Sequence, residues 1–261
     1  MRFFLLGSTL LALALGAGMA LMLEAGRRLG VRRMARDHEG ARAGMGAVEG
    51  AHFALLGLLI AFTFSGAAAR FDARRALIVE EANAIGTAWL RLDLLPDDAR
   101  GDLRALFPPY VEARIAAYRA LPDVEAARAQ LARAADLQAA IWARAVAAVR
   151  AGDSQSATML LLPALNQMFD IGTARTAAAR MHPPVVIYVM LVGLSLVSAL
   201  LVGYAMAGAR ARSLLHMAAF AFMMAISIYV IFDLEFPRAG LIRIDAADAP
   251  LVELRDGMKG R

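Results

Sequence analysis

Four long uncharged stretches dominate the hydrophobic pattern of the chain. Each has at least about 18 residues, the length that an α-helix needs to cross the hydrocarbon core of a membrane. They lie at residues 3–23, 51–69, 185–207 and 213–232. The pattern therefore predicts four transmembrane helices, and an even number of spans puts both chain ends on the same side of the membrane.

The spans divide the chain into seven predicted segments. In chain order these are transmembrane helix 1 (1–26), an Arg/Gly-rich loop (27–50), transmembrane helix 2 (51–69), an extramembrane insert (70–182), transmembrane helix 3 (183–209), transmembrane helix 4 (213–232) and a C-terminal tail (233–261). The first stretch also resembles a secretory signal, because Arg2 gives it a basic start and small residues occur near its end. It is longer than a signal core of roughly 7 to 15 residues, which favours a retained helix.

Small residues recur at every fourth position in three of the spans. The three stripes are Ser8, Ala12, Gly16 and Ala20; Gly57, Ala61, Ser65 and Ala69; and Ser195, Ala199, Gly203 and Ala207. Such stripes let helix backbones approach closely in lipid, where apolar burial does not drive helix association. An alanine-rich chain also produces this spacing by chance, so both interpretations stay open.

The insert at 70–182 is polar enough to lie outside the membrane, and its 14 arginines nearly balance its 13 acidic residues. Apolar residues with a spacing of three or four continue the second span as a helix with one buried stripe. Proline and aspartate interrupt the remainder of the insert, and Asp123 opens a helix at 124–151. The sequence therefore predicts an all-α membrane protein with a helical insert between helices 2 and 3.

Composition and motifs exclude several functional classes. The chain is 60% apolar, yet 20% of it is charged, which the alternation of spans and insert explains. The absence of cysteine excludes disulfides and thiolate chemistry. No segment has the basic excess of a nucleic-acid binder. No G-x-S-x-G or H-E-x-x-H motif occurs, and the span centres lack charged residues, so we predict neither an enzyme nor a cofactor nor a proton-coupled transporter.

Arginines flank the spans on both sides of the membrane. One side has Arg27, Arg28, Arg32, Arg33, Arg36, Arg42, Arg210 and Arg212, and the other has Arg2, Arg70, Arg74, Arg75, Arg175, Arg180, Arg238 and Arg243. Cytoplasmic loops usually carry the excess of positive charge. The two groups are equal in number, so charge leaves the orientation open, although the first helix alone favours an outside N-terminus.

Four separated stretches resemble a bacterial membrane family described as bestrophin-like and of unknown function. They are AFTFSGAAARFDARRALIVEEANAIGTAWLRLDLLP (61–96), LLPALNQMFDI (161–171), ARMHPP (179–184) and YVIFDLEFPRAGLIRID (229–245). The family resembles the bestrophins, which are pentameric anion channels, in its layout of two spans, a helical insert and two further spans. This resemblance implies a homo-oligomer, a pentamer by analogy, in the inner membrane, with anions as partners and a cytoplasmic insert.

The second span carries a candidate pore face. Its predicted pore-lining residues are Gly57, Ala61, Ser65, Ala69, Arg70 and Arg74. The small residues leave room near a symmetry axis, and the arginines at the end would form rings of positive charge that favour anions. The alternative is that the arginines only anchor the span at the lipid headgroups.

A second set of charged residues is predicted to form ion pairs: Glu81, Asp170, Arg175, Asp233, Glu235 and Arg238. Glu81 lies almost in line with the arginines of the pore face, and pairing with an arginine such as Arg175 is an alternative to a place in the pore. Asp233, Glu235, Asp245 and Asp248 are oxygen ligands that calcium accepts, but their spacing lacks the pattern of an EF-hand, so we predict no metal site.

These residues support two functions from different classes. The first is a homo-oligomeric membrane protein that conducts anions. The second is a non-conducting membrane scaffold or regulatory subunit, whose insert and arginine-rich loop bind a partner protein or anionic lipid.

Overall fold

The computed structural model describes residues 2–36, 45–152, 155–208 and 214–259, and these residues form helices and no strand. The α-helices are α1 (Arg2–Met34), α2 (Met45–Arg91), α3 (Asp97–Arg104), α4 (Phe107–Arg119), α5 (Val124–Ala151), α6 (Gln155–Arg180), α7 (Val185–Ala205), α8 (Leu214–Glu235) and α9 (Ala249–Lys259). Short 3₁₀ helices lie at Leu92–Leu94, Met206–Gly208 and Asp245–Asp248. The predicted all-α fold class is confirmed.

The described residues include four helical stretches that are long and apolar enough to cross a membrane, as predicted. They are Leu10–Met34, Gly46–Leu94, Gln155–Gly208 and Leu214–Glu235. The chain divides into two compact units. The membrane unit contains residues 2–69 and 182–236, and the insert unit contains residues 70–181 and 237–261.

The loop predicted at 27–50 is shorter than expected, because α1 continues to Met34 and α2 already begins at Met45. Glu24 forms salt bridges of 2.9 Å with Arg27 and 2.7 Å with Arg28, three and four residues later on α1. Such pairs stabilise a helix, and arginine is a good helix former. The charges therefore end the apolar span without ending the helix. Residues 37–44 and 209–213 lie outside the described part of the chain.

Close backbone packing joins α1 to α7 in the membrane unit. A Cβ atom on Gly203 would overlap the backbone carbonyl of Leu23, and one on Gly26 would overlap that of Leu200. Only glycine fits at such contacts. Ala199 is fully buried beside this contact. The small-residue stripe of α7 is therefore a packing surface.

The core of the insert unit contains one broad face of α4. The buried residues of this helix lie on that face, whereas Glu112 and Arg119 on the other side are more exposed. The apolar stripe of α2 reaches this core through Ile85 and Trp89, and the Trp89 ring packs against that of Phe107 with centroids 5.7 Å apart. The predicted stripe thus finds its partner in the helices of the insert.

The helix boundaries in the insert obey local capping rules. Asp123 accepts a hydrogen bond of 3.0 Å from the backbone N–H of Ala126, which caps the 28-residue helix α5. Pro108 and Pro109 occupy the first turn of α4, where proline is tolerated because its missing N–H has no intrahelical partner. The start predicted for the helix at 124–151 is confirmed.

Candidate functional site

The small face of α2 is left uncovered by the residues that the structure describes. Its four members, Gly57, Ala61, Ser65 and Ala69, are all exposed. In the described part of the chain, a Cβ atom on Gly57 would meet nothing within 4 Å. Only 11% of the apolar window of α2 is buried, against 22% for each of the other three candidate spans. This face is thus available to another molecule.

The two arginines beyond the small face differ in environment. Arg70 is half-buried, whereas the side chain of Arg74 is only 8% exposed. The Nε and Nη2 atoms of Arg74 donate hydrogen bonds of 3.1 and 2.8 Å to the carbonyls of Ala178 and Met181. These carbonyls belong to the C-terminal end of α6, which attracts cations. Arg74 therefore fastens α2 to α6 in the insert unit.

A buried charge cluster lies deeper in the insert unit. Its members are Glu81, Arg114, Arg175, Arg238 and Asp248, none of them more than 8% exposed. Glu81 is fully buried and accepts two hydrogen bonds, 2.5 Å from Arg114 Nε and 2.6 Å from Arg175 Nη1. The pairing of Glu81 with Arg175, which the sequence left open, is thus present in the structure. A carboxylate removed from water needs such partners to remain charged.

The cluster continues into the C-terminal tail. Arg175 Nη2 donates to Asp248 at 3.1 Å, and Arg238 binds both carboxylate oxygens of Asp248 at 2.7 and 2.8 Å. Arg238 also donates to Asp245 at 2.9 Å. Positive and negative side chains therefore alternate along the cluster, and they connect α2, α4 and α6 to the tail.

Aromatic and polar groups complete the surroundings of the arginines. The guanidinium of Arg175 lies 3.8 Å from the centroid of the Tyr118 ring, a cation–π contact. Arg114 donates to the carbonyl of Gly172 at 2.9 Å. Burial by itself would lower the pKa of Arg114, but the charge of Glu81 raises the pKa above its ordinary value, so the guanidinium stays protonated. The cluster is closed to solvent and suited to holding helices together.

The remaining predicted ion-pair residues lie elsewhere. Asp170 is exposed on α6. Asp233 and Glu235 are buried near the end of α8 in the membrane unit. The closest approach of Glu235 to His182 is 3.5 Å, and the His182 ring stacks on Phe236 with centroids 4.7 Å apart. Glu235 and His182 thus bring the end of α8 to the start of α7.

Two of the four oxygen ligands considered for calcium are bound by arginines. Asp248 accepts hydrogen bonds from Arg175 and Arg238, and Asp245 accepts them from Arg238 and Arg243. Among the described residues, no group of three or more His, Asp or Glu side chains is arranged to hold a metal ion.

Sequence reasoning missed Arg114 altogether and considered Asp248 only as a calcium ligand. In an insert rich in alanine and arginine, one more arginine is expected on a solvated helix face. The available signal was its position on the helix, because Val111 and Tyr118, three residues before and four residues after Arg114, place bulky side chains on the same face of α4. An arginine on the buried face of a helix requires a buried carboxylate.

Comparisons with known proteins agree with this architecture. The sequence model of the Bestrophin-like domain matches residues 12–249. A solved structure of a mutant bacterial bestrophin homologue from Klebsiella pneumoniae is similar in fold, with a TM-score of 0.72 and 14% identity over 93% of this chain and 98% of that chain. No curated protein matches the sequence.

At 14% identity the structural likeness establishes the fold and not the activity. The domain match covers far more than half of the chain, and four helices among the described residues are suited to crossing a membrane. The protein is therefore a membrane protein that belongs to the Bestrophin-like domain family.

Proposed function

We propose that the protein forms a homo-oligomeric anion channel in which α2 lines the pore. The observation that carries this proposal is the open small face of α2, from Gly57 to Ala69. Side chains this small leave space for a permeating ion when several copies of the helix surround one axis. The resemblance to bestrophins supports a pentamer and a cytoplasmic insert in the inner membrane.

The apolar side chains around α2 support contact between copies. In the membrane unit, Leu58 is 53% exposed and Phe62 is 68% exposed, which lipid alone would tolerate. In the insert unit, Val79 and Leu90 remain 45% and 58% exposed on the same helix. Outside lipid, exposed apolar side chains are typical of a protein interface. A second copy of the chain is the partner that would cover both parts of α2.

Arg70 is the charged residue that we assign to the anion pathway. It comes directly after Ala69, the last small residue of the face, and one copy from each subunit would form a ring of positive charge. Arg74 has a different role in this proposal, because its guanidinium binds the carbonyls of Ala178 and Met181. It positions α2 beside α6 and so keeps the ring in place.

Two measurements test the proposal. The mass of the protein in nanodiscs should approach five times the 27.9 kDa of one chain, since a monomer cannot enclose a pore between subunits. In planar bilayers the purified protein should pass anions in preference to cations. Arg70→Gln should lower the ratio of anion to cation permeability by about fivefold for each charge removed, since a charge about 8 Å away in water favours an anion and disfavours a cation by about 0.5 kcal/mol each.

The matched control is Arg75→Gln, which removes the same charge from an exposed arginine paired with Asp72 on another face of α2. Its permeability ratio should equal that of the unchanged protein. A stable monomer, or an oligomer without conductance, would favour the scaffold function instead. Equal ratios for Arg70→Gln and the unchanged channel would remove Arg70 from the pathway.

A further inference from the structure

A basic cavity lies in the membrane unit at the C-terminal end of α1. Its volume is about 700 Å³, and Leu29, Arg32, Arg33, Arg36 and Tyr204 line it. Leu29, Arg32 and Arg33 of α1 are spaced three and four residues apart and share one face, and Arg36 follows in the turn after the helix. Three arginines therefore line one space together with Tyr204 of α7.

The cavity has a rigid frame. Gly30, one turn from the arginines, packs directly on α7, and a Cβ atom there would lie 2.8 Å from the carbonyl oxygen of Tyr204. It would also lie 2.5 Å from the Cβ atom of Ala207. Such close packing fixes the end of α1 relative to Tyr204. The arginines are thus presented by a preorganised scaffold, which reduces the entropy lost on binding a ligand.

The positive charge of the cavity is not neutralised by the described residues. Glu24 pairs with Arg27 and Arg28, one to two turns earlier on α1. No described carboxylate forms a salt bridge with the three arginines of the cavity, which are all exposed. The planar guanidinium group binds phosphate oxygens in pairs. The cavity thus offers three such groups to an anion.

We propose that this cavity binds the phosphate headgroup of an anionic phospholipid. It lies where the membrane-length stretch Leu10–Met34 ends, which is the depth of the headgroups. Leu29 and Tyr204 give it apolar surface that suits the glycerol and upper acyl chain, and tyrosine is typical of this interface. Its volume is that of a small-molecule site. A free inorganic phosphate would leave the apolar part unused.

The test measures binding of acyl-chain-labelled phosphatidylglycerol to the purified full-length protein in neutral detergent, by fluorescence anisotropy. Phosphatidylcholine with the same label is the comparison lipid. The double variant Arg32→Gln with Arg36→Gln should weaken phosphatidylglycerol binding by about 30-fold, as expected for two arginines near a headgroup. The matched control, Arg27→Gln with Arg28→Gln, removes equal charge and should have little effect. Unfolding temperatures verify that both doubles are folded.

Three outcomes would overturn the proposal. Equal affinity for the two lipids would mean that the net negative charge of the headgroup is not recognised. Equal losses in the two double variants would indicate a general effect of surface charge. Complete displacement of the labelled lipid by millimolar inorganic phosphate would show that the cavity binds free anions.

Discussion

The small-residue stripes of α7 and α2 have the same spacing and opposite surroundings. On α7, Ser195, Ala199 and Gly203 are buried, and Gly203 touches the backbone of α1. On α2, the stripe from Gly57 to Ala69 is exposed, and a Cβ atom on Gly57 would meet none of the described atoms within 4 Å. The stripe of α7 thus packs against another helix of the same chain, whereas the described residues leave the stripe of α2 uncovered.

This difference shows how much a spacing pattern can establish. Small residues at every fourth position make a close approach possible, but they do not specify the partner. On α7 the partner is α1 of the same chain, so substitution should affect folding. We propose that the stripe of α2 faces an axis shared by several copies of the chain. Substitution there should therefore affect assembly and conduction instead of folding.

The largest expected effect is at the closed stripe. Gly203→Leu should destabilise the folded protein by about 4 kcal/mol or more, because even the first added carbon overlaps the Leu23 carbonyl. Since the contact is between backbones, no side-chain rotation relieves it. Thermal unfolding in detergent, combined with size-exclusion chromatography, measures the loss.

Two leucine variants serve as controls for this prediction. Gly193→Leu lies on the same helix, where an added Cβ meets none of the described atoms within 4 Å, and should unfold near the unchanged temperature. Gly57→Leu should change the free energy of unfolding by no more than about 0.5 kcal/mol, while it lowers the conductance that we propose. Equal destabilisation at Gly203 and Gly57 would abolish the distinction between the two stripes.

The second prediction concerns the part of α2 beyond its open stripe, where the helix is anchored in the insert. Glu81→Gln should lower the free energy of unfolding of the insert by about 3 kcal/mol. The amide keeps the shape of the carboxylate but leaves Arg114 and Arg175 without their shared negative charge. Chemical denaturation monitored by tryptophan fluorescence measures this loss of stability, because Trp89 lies in the same core.

Glu80→Gln is the matched control for the anchored part of α2. Glu80 is the preceding residue and is exposed. Loss of an exposed carboxylate usually changes stability by less than about 0.5 kcal/mol. If the two variants unfolded alike, the buried charge cluster would not be what anchors α2.

The smallest effect is expected at Asp245, where the charge cluster meets solvent. Burial would raise the pKa of Asp245, but hydrogen bonds from Arg243 and Arg238 and their charges lower it below 3.8. A carboxylate with a lowered pKa stabilises the fold above its unfolded pKa, and this contribution is lost as the pH falls through the folded pKa. The stability difference between the unchanged protein and Asp245→Asn should therefore be constant above about pH 5 and should shrink as the pH falls below about 4. A difference that did not shrink would contradict the assignment.

Much of the fold is encoded in local sequence features. Uncharged length marks the four spans, and Asp123 marks the start of α5 because one side chain and the backbone three residues later suffice to form the cap. The extension of α1 to Met34 was missed because membrane-span rules detect the end of lipid contact and not the end of a helix.

The contacts of the site were harder to predict, since they join distant parts of the chain. Glu81 and Arg175 are 94 residues apart, and the sequence offers many arginines as partners. Arg74 was predicted to line a pore or to anchor the span, and charge patterns alone do not reveal its hydrogen bonds to the end of α6. The neighbours of the open face of α2 cannot be predicted from distant parts of one chain, because in our proposal they belong to other copies of the same sequence.

The burial of Glu81 and Asp248 also determines how the protein responds to ionic strength. Dissolved ions screen charges that face solvent, but they do not enter a space from which water is excluded. These two carboxylates are at most 1% exposed, so their ion pairs persist at high salt concentration much as they do in dilute buffer. The exposed arginines of the α1 cavity have no such protection. Concentrated salt would therefore weaken headgroup binding well before it loosened the insert.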